Sequence, residues 1–317
     1  MRKYNIKFFE HRKIFFGLSL AILAIGIVFN IIFGTQLDIK FTGGAVIKYS
    51  YQGSISQQEV EEIVQNTAKK DAEVCILENA AADKNEENYV SISFSGTDSI
   101  TIDEQQKIAK ELTAKYPNAD FQVNESNSVN PTMGRNFFAK CMTAVLLASL
   151  LLILYIAIRF KKIGGMSAGV MAVIALIHDV LMVYFTFVIF RMPLNDNFIA
   201  VVLTILGYSL NDTIIIYDRI RENRRLMSPK TPLYQLVDTS INQTFSRSIN
   251  TSICTFTAIA TVFVVGQIFG LTSVTSFALP MMIGVMTGCY SSICIAGPLY
   301  VMWQNHKASK RLENAWL

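Results

Sequence analysis

Six apolar runs set the terms for this chain, at residues 14–34, 137–158, 163–190, 197–217, 245–267 and 272–302. About 20 consecutive apolar residues wound as a helix cross the hydrocarbon of a bilayer. Of 317 residues, 51% are hydrophobic and only 16% charged, against about a quarter charged in an ordinary soluble chain. The expected class is a polytopic α-helical membrane protein with six transmembrane helices. The first run follows basic residues, as a signal peptide does. It spans about 20 residues and lacks a small-x-small cleavage site, which favours a retained helix. The last run exceeds what a bilayer needs, so it tilts or continues beyond the membrane.

Basic residues orient the spans. Arg2, Lys3, Lys7, Arg12 and Lys13 precede the first; Arg159, Lys161 and Lys162 separate the second from the third. Arg219, Arg221, Arg224, Arg225 and Lys230 separate the fourth from the fifth, and Lys307, Lys310 and Arg311 follow the sixth. These segments alternate onto one side and hold 16 of the 28 Lys and Arg residues. The positive-inside rule makes that side, with both termini, cytoplasmic.

Residues 35–136 are then extracytoplasmic. Between Gln36 and Arg135 there are 16 acidic and 9 basic residues, an acidity that argues against nucleic acid as a partner. The pattern predicts strands over 45–51, 74–77, 89–94 and 119–124. Helices are expected over 56–70 and from Thr101 to about Tyr116, opened by Ser56–Glu59 and Thr101–Glu104 capping boxes. A β-α-β-β-α-β order points to an α+β ferredoxin-like domain, a fold that specifies no function by itself. The resulting organisation is 1–34, N-terminus and first helix; 35–136, outer domain; 137–304, helices two to six; and 305–317, cytoplasmic tail.

No nucleophile–base set, phosphate loop or metal-ligand spacing is present, so neither catalysis nor a cofactor is expected. Gly43 and Gly44 in FTGG read as a tight turn at the membrane edge. Gly165/Gly169 and Gly284/Gly288 have the spacing that lets helices approach closely. The five cysteines include one, Cys75, in the polar segment, and the four in apolar runs read as packing residues. The informative residues are ionisable ones inside the spans. Asp212 and its neighbour Asn211 interrupt the fourth run, where an intramembrane carboxylate costs roughly 2.5–3.5 kcal/mol on insertion scales. Arg247 stands at a comparable depth on the fifth, within a stripe of Thr244, Ser248, Thr251 and Thr255. His178 and Asp179 interrupt the third. Two readings stay open: Asp212 and Arg247 fix the register of two helices, or Asp212 takes up and releases a cation. The same choice holds for His178–Asp179, with weaker grounds for the ion path.

FTGG after the first span, SLNDTIIIYDRIREN ending the fourth and INQTFSRSINTS opening the fifth resemble the SecF family, over essentially the whole chain. Members of that family are the smaller membrane subunits of the bacterial SecD–SecF accessory complex, of the RND-transporter type. The resemblance implies pairing with SecD, association with the SecYEG channel and with YajC, and exported preprotein chains as cargo. It implies a bacterial cytoplasmic membrane location and use of the proton or sodium motive force to promote and complete export. Carried over, the family's ion path falls on Asp212 and Arg247, and its cytoplasmic motif on Asp218 and Arg219. Lys40 stands where the family usually has Asp. An RND-like small-molecule exporter half and a non-transporting scaffold of the channel remain the alternatives.

Overall fold

The computed structural model describes residues 6–38, 41, 44–53, 55–70, 72–77, 88–95, 100–117, 119–129, 131–269 and 271–313. Lys40 and Gly43 lie outside them. Helix α1 (Arg12–Phe33) leads into a sheet unit: β1 (Gly44–Tyr51), α2 (Gln57–Ala68), β2 (Ala72–Leu77), β3 (Asn88–Ser95), α3 (Ile102–Lys115) and β4 (Gln122–Val129). The chain continues through α4 (Pro131–Arg159), α5 (Gly165–Ile189), α6 (Asp196–Leu226) and α7 (Leu233–Ile268), then α8 (Thr272–Ser291), a π turn (Ser292–Ala296) and α9 (Gly297–Glu313). Among the described residues six segments are long and apolar enough to cross a membrane, the last running from Ser273 to Lys310. The chain is a multi-pass membrane protein.

The sheet is antiparallel with order β2-β3-β1-β4. Alternation puts Ile47, Tyr49 and Tyr51 of β1 on the same buried face as Val90, Ile92 and Phe94 of β3, where Val60 and Val64 of α2 and Ile108 and Leu112 of α3 cover them. Gly44, with φ of 133°, opens β1 in a conformation that side chains rarely adopt. Thr101 caps α3 as expected: its hydroxyl accepts from Glu104 N–H, and Glu104 accepts from Thr101 N–H.

Two local expectations are corrected. Ser56 makes no side-chain capping bond to α2, and Tyr116 Oη takes over the other half of the box: it donates to Glu59 at 2.5 Å and accepts from Ser56 N–H at 3.4 Å, from 57 positions beyond Glu59. The last strand covers 122–129, not 119–124. Apolar Ala119 and Phe121 are buried from the turn before it, and the polar strand is placed by its ladder with β1.

The Thr101 cap yields a prediction. Thr101→Ala should cost about 1 kcal/mol, read as faster amide exchange in the first turn of α3. The backbone N–H of Thr101 holds the Glu104 carboxyl below its ordinary value of 4.5. A depressed value means that the contribution is complete above that pH and fades as acid protonates Glu104. Glu104 is solvated, so salt should weaken it too.

Within the membrane bundle, α5, α6 and the α8–α9 segment are buried in the centre, while α1, α4 and α7 leave most of their surface exposed. Close approach is obtained with glycine: a Cβ on Gly284 would lie 2.7 Å from Ile205, and one on Gly288 3.0 Å from Ser209. The Gly284/Gly288 pair thus seats α8 on α6. The segment between α1 and β1 is held to the bundle where Leu37 bridges to Leu194 and Phe41 stacks on Phe137 and meets Phe138 edge-on.

Candidate functional site

Helix α6 buries one face, with Ile205, Ser209, Asp212, Thr213 and Ile216 recurring at spacings of three and four. Neighbouring residues on a helix point about 100° apart, so Asn211 beside Asp212 turns outward. With Thr204 and Gly207 it forms an exposed small and polar stripe. The two sequence candidates that stand side by side therefore occupy different environments.

Asp179 is fully buried at the centre and joins three helices. Its Oδ2 accepts from Ser209 Oγ of α6 at 2.6 Å and from Ser291 Oγ of α8 at 2.7 Å. Its Oδ1 lies 3.1 Å from His178 Nδ1. The polar cluster continues through Ser292, which donates to the Ser209 carbonyl and bonds Thr213 at 2.9 Å. Ser292 is also where α8 gives way to the π turn, an irregularity common at functional positions. The His178 ring faces Tyr290, its Nε2 buried without a hydrogen-bond partner.

Asp212 lies one turn from Ser209 and is equally buried, but it is held very differently. Among the described residues its Oδ2 has no hydrogen-bond partner of standard geometry; the buried Ser248 Oγ faces it from α7, near enough to act on the carboxyl without closing a well-formed bond. Arg247 is close enough for its charge to act on Asp212, yet no ion pair joins them among the described residues. The guanidinium opens instead into a cleft of about 640 Å³ at the end of the bundle. An unpaired carboxylate oxygen in a low-dielectric setting is costly. It is also the arrangement that a cation or a proton would satisfy.

Asp218 and Arg219 line that cleft. Asp218 pairs with Arg221 at 2.8 Å and with Arg159 at 3.2 Å, tying α6 to the end of α4. Arg219 pairs with Glu222 and donates to Gln243 Oε1, which also accepts from Asn223. This network clamps α6 to α7 one to three turns beyond Asp212.

Sequence reasoning missed Ser291 and Ser292. The visible signal was a serine pair inside an apolar span. What they bond to depends on how α8 is rotated against α5 and α6, which no local pattern carries.

The sequence profile described as "Protein export membrane protein SecD/SecF, C-terminal" matches residues 108–306. A protein translocase subunit SecF from Sebaldella termitidis is 31% identical over 98% of this chain and 95% of its own length. One from Petrotoga mobilis is 31% identical over 94% and 95%. The Bacillus subtilis protein translocase subunit SecDF is 31% identical over 96% of this chain, which spans only 39% of that longer protein. Among solved structures, SecDF from Thermus thermophilus, described as a translocon-associated membrane protein, superposes on 95% of this chain and 39% of its own. The TM-score is 0.80 at 26% identity. A SecDF in a super-membrane-facing form covers 98% of this chain with a TM-score of 0.67.

Proposed function

The chain belongs to the SecD/SecF protein export family as a SecF-type subunit, and from that premise we propose that it couples an ion gradient to protein export. Asp212 is the coupling residue. The observation that carries this reading is its buried Oδ2, without a hydrogen bond of standard geometry among the described residues, next to the charge of Arg247. Loading a proton or sodium ion neutralises the carboxylate, and unloading restores its attraction to Arg247. A movement that changes that distance or the local hydration therefore shifts ion affinity, and ion binding biases the movement in turn. Each charge that crosses 100 mV supplies about 2.3 kcal/mol. The Asp218–Arg219 clamp carries the tilt of α6 to its cytoplasmic end, and the Asp179 cluster is a second polar station one turn away on the same buried face of α6.

The partner we infer is a SecD subunit. Asn211 is exposed at membrane depth and α7 exposes most of its surface; polar groups there need another protein rather than lipid. The relatives in which one chain carries both names favour the same partner. SecYEG and the exported chain complete the assembly, with YajC as a further associate, in the bacterial cytoplasmic membrane. The strand order β2-β3-β1-β4 supports a ferredoxin-like reading of the sheet unit, which in this proposal lies outside within residues 35–136 and would be the part that the ion cycle moves. No bond-making chemistry is involved.

Orientation is tested with single cysteines in a cysteine-free background. An impermeant thiol reagent on intact cells should label Gln58→Cys and not Ser228→Cys. Labelling of Ser228→Cys in sealed cells would reverse the topology. Function is tested by depletion: precursors of secreted proteins should accumulate, and Asp212→Asn should fail to relieve it. If that variant restored export fully, the chain would be a scaffold.

A further inference from the structure

At the end of the bundle where Arg159 meets Asp218, a second cleft of about 400 Å³ opens between α5 and α9. Helix α9 presents Trp303, His306, Lys307 and Lys310 to it, spacings of three and four that place them on one face. Helix α5 supplies an apolar wall of Met166 and Val170. No acidic side chain lines it among the described residues. The cleft is built on a fixed turn: Ile163 O accepts from Tyr300 Oη at 2.7 Å, and Gly164 holds a φ of 83° against Gln304.

The apolar wall does not stop at the cleft. Met166, Val170, Ile174, Ile177 and Leu181 are all exposed, and their spacing aligns them within one face of α5. A basic pocket with a tryptophan thus stands at the head of an apolar track that runs down a membrane-spanning helix. This face differs from the one proposed to meet a protein partner, since the exposed stripe of α6 is small and polar (Thr204, Gly207, Asn211).

We propose that this cleft binds an anionic phospholipid. The headgroup phosphate sits among Lys307, Lys310 and His306 near the N-terminus of α5, and an acyl chain lies along the α5 stripe. Basic pockets between membrane helices suit such headgroups, a helix N-terminus favours an anion, and tryptophan settles at the membrane interface. The inference needs only the membrane placement of the chain, not the ion path. Asp212→Asn should leave it intact, so the two readings fail separately.

The test is native mass spectrometry of the full chain in mild detergent, titrated with phosphatidylglycerol or with phosphatidylcholine of the same acyl chains. Phosphatidylglycerol should be retained at concentrations roughly tenfold lower. The Lys307→Gln/Lys310→Gln double variant should lose about thirtyfold in that affinity, the loss expected for two surface cations. Both lysines are exposed, so an unchanged thermal midpoint should accompany the loss. A hundredfold excess of inorganic phosphate should not displace the lipid, and neither should an added SecD subunit. Equal retention of the two lipids, or undiminished binding by the variant, overturns the proposal. Displacement by phosphate would make the cleft a free-anion site, and displacement by SecD a protein interface; either outcome also overturns it.

Discussion

Asp179→Ala should destabilise the bundle by about 2–4 kcal/mol, because it leaves buried hydrogen-bonding groups without their shared acceptor. The carboxylate joins α5 to Ser209 of α6 and Ser291 of α8, and its loss leaves two hydroxyls and the His178 ring to find other partners. Each buried orphan costs about 1–3 kcal/mol. Ser291 has an alternative acceptor in the Gly288 carbonyl at 3.2 Å, which places the expected value toward the lower end. Asp179→Asn keeps in its amide oxygen an acceptor for both serines but loses the charge and the oxygen that faces His178, and should cost about 1–2 kcal/mol. Thermal unfolding of the purified protein in detergent reads both. Asp179→Ala with wild-type stability would mean that these bonds do not hold the helices. A stable Asp179→Asn protein that has lost its response to an ion gradient would make Asp179 a coupling station as well as a clasp.

The parts of the fold set by local pattern were legible. Six spans followed from six apolar runs, and the Thr101–Glu104 box followed from spacing, because both partners lie within one turn. The Ser56–Glu59 box failed because Tyr116, distant in sequence, captures Glu59. The final strand was displaced because an exposed edge strand such as β4 is positioned by pairing and carries little hydrophobic alternation of its own. Asp212 and Asp179 stood out because a carboxylate inside an apolar run is rare. What each would face was not legible. Arg247 was the obvious partner for Asp212, yet the rotation of α7 aims Ser248 at it and opens Arg247 to the cleft. The π turn at Ser292 answers to packing against α6, and nothing in SICIA announces it.

Asp212→Asn is expected to abolish coupling to the gradient while the protein still folds and assembles. Asparagine is nearly isosteric and keeps an oxygen toward Ser248, so the packing of α6 should survive. It carries no exchangeable carboxyl proton and no charge for a sodium ion or for Arg247. Asp212→Glu retains the titrating group one methylene further out and should keep partial activity. Arg247→Met removes the charge that responds to the state of Asp212 and should be inactive, with little loss of stability because Arg247 is exposed and forms no ion pair with Asp212. The measurement is the outward movement of a late translocation intermediate in inverted membrane vesicles, with the proton and sodium gradients imposed or collapsed separately. Wild-type protein should respond to one of the two gradients, and Asp212→Asn to neither. If Asp212→Asn still accelerated the intermediate when the gradient was imposed, Asp212 would be a structural residue and the coupling would lie elsewhere.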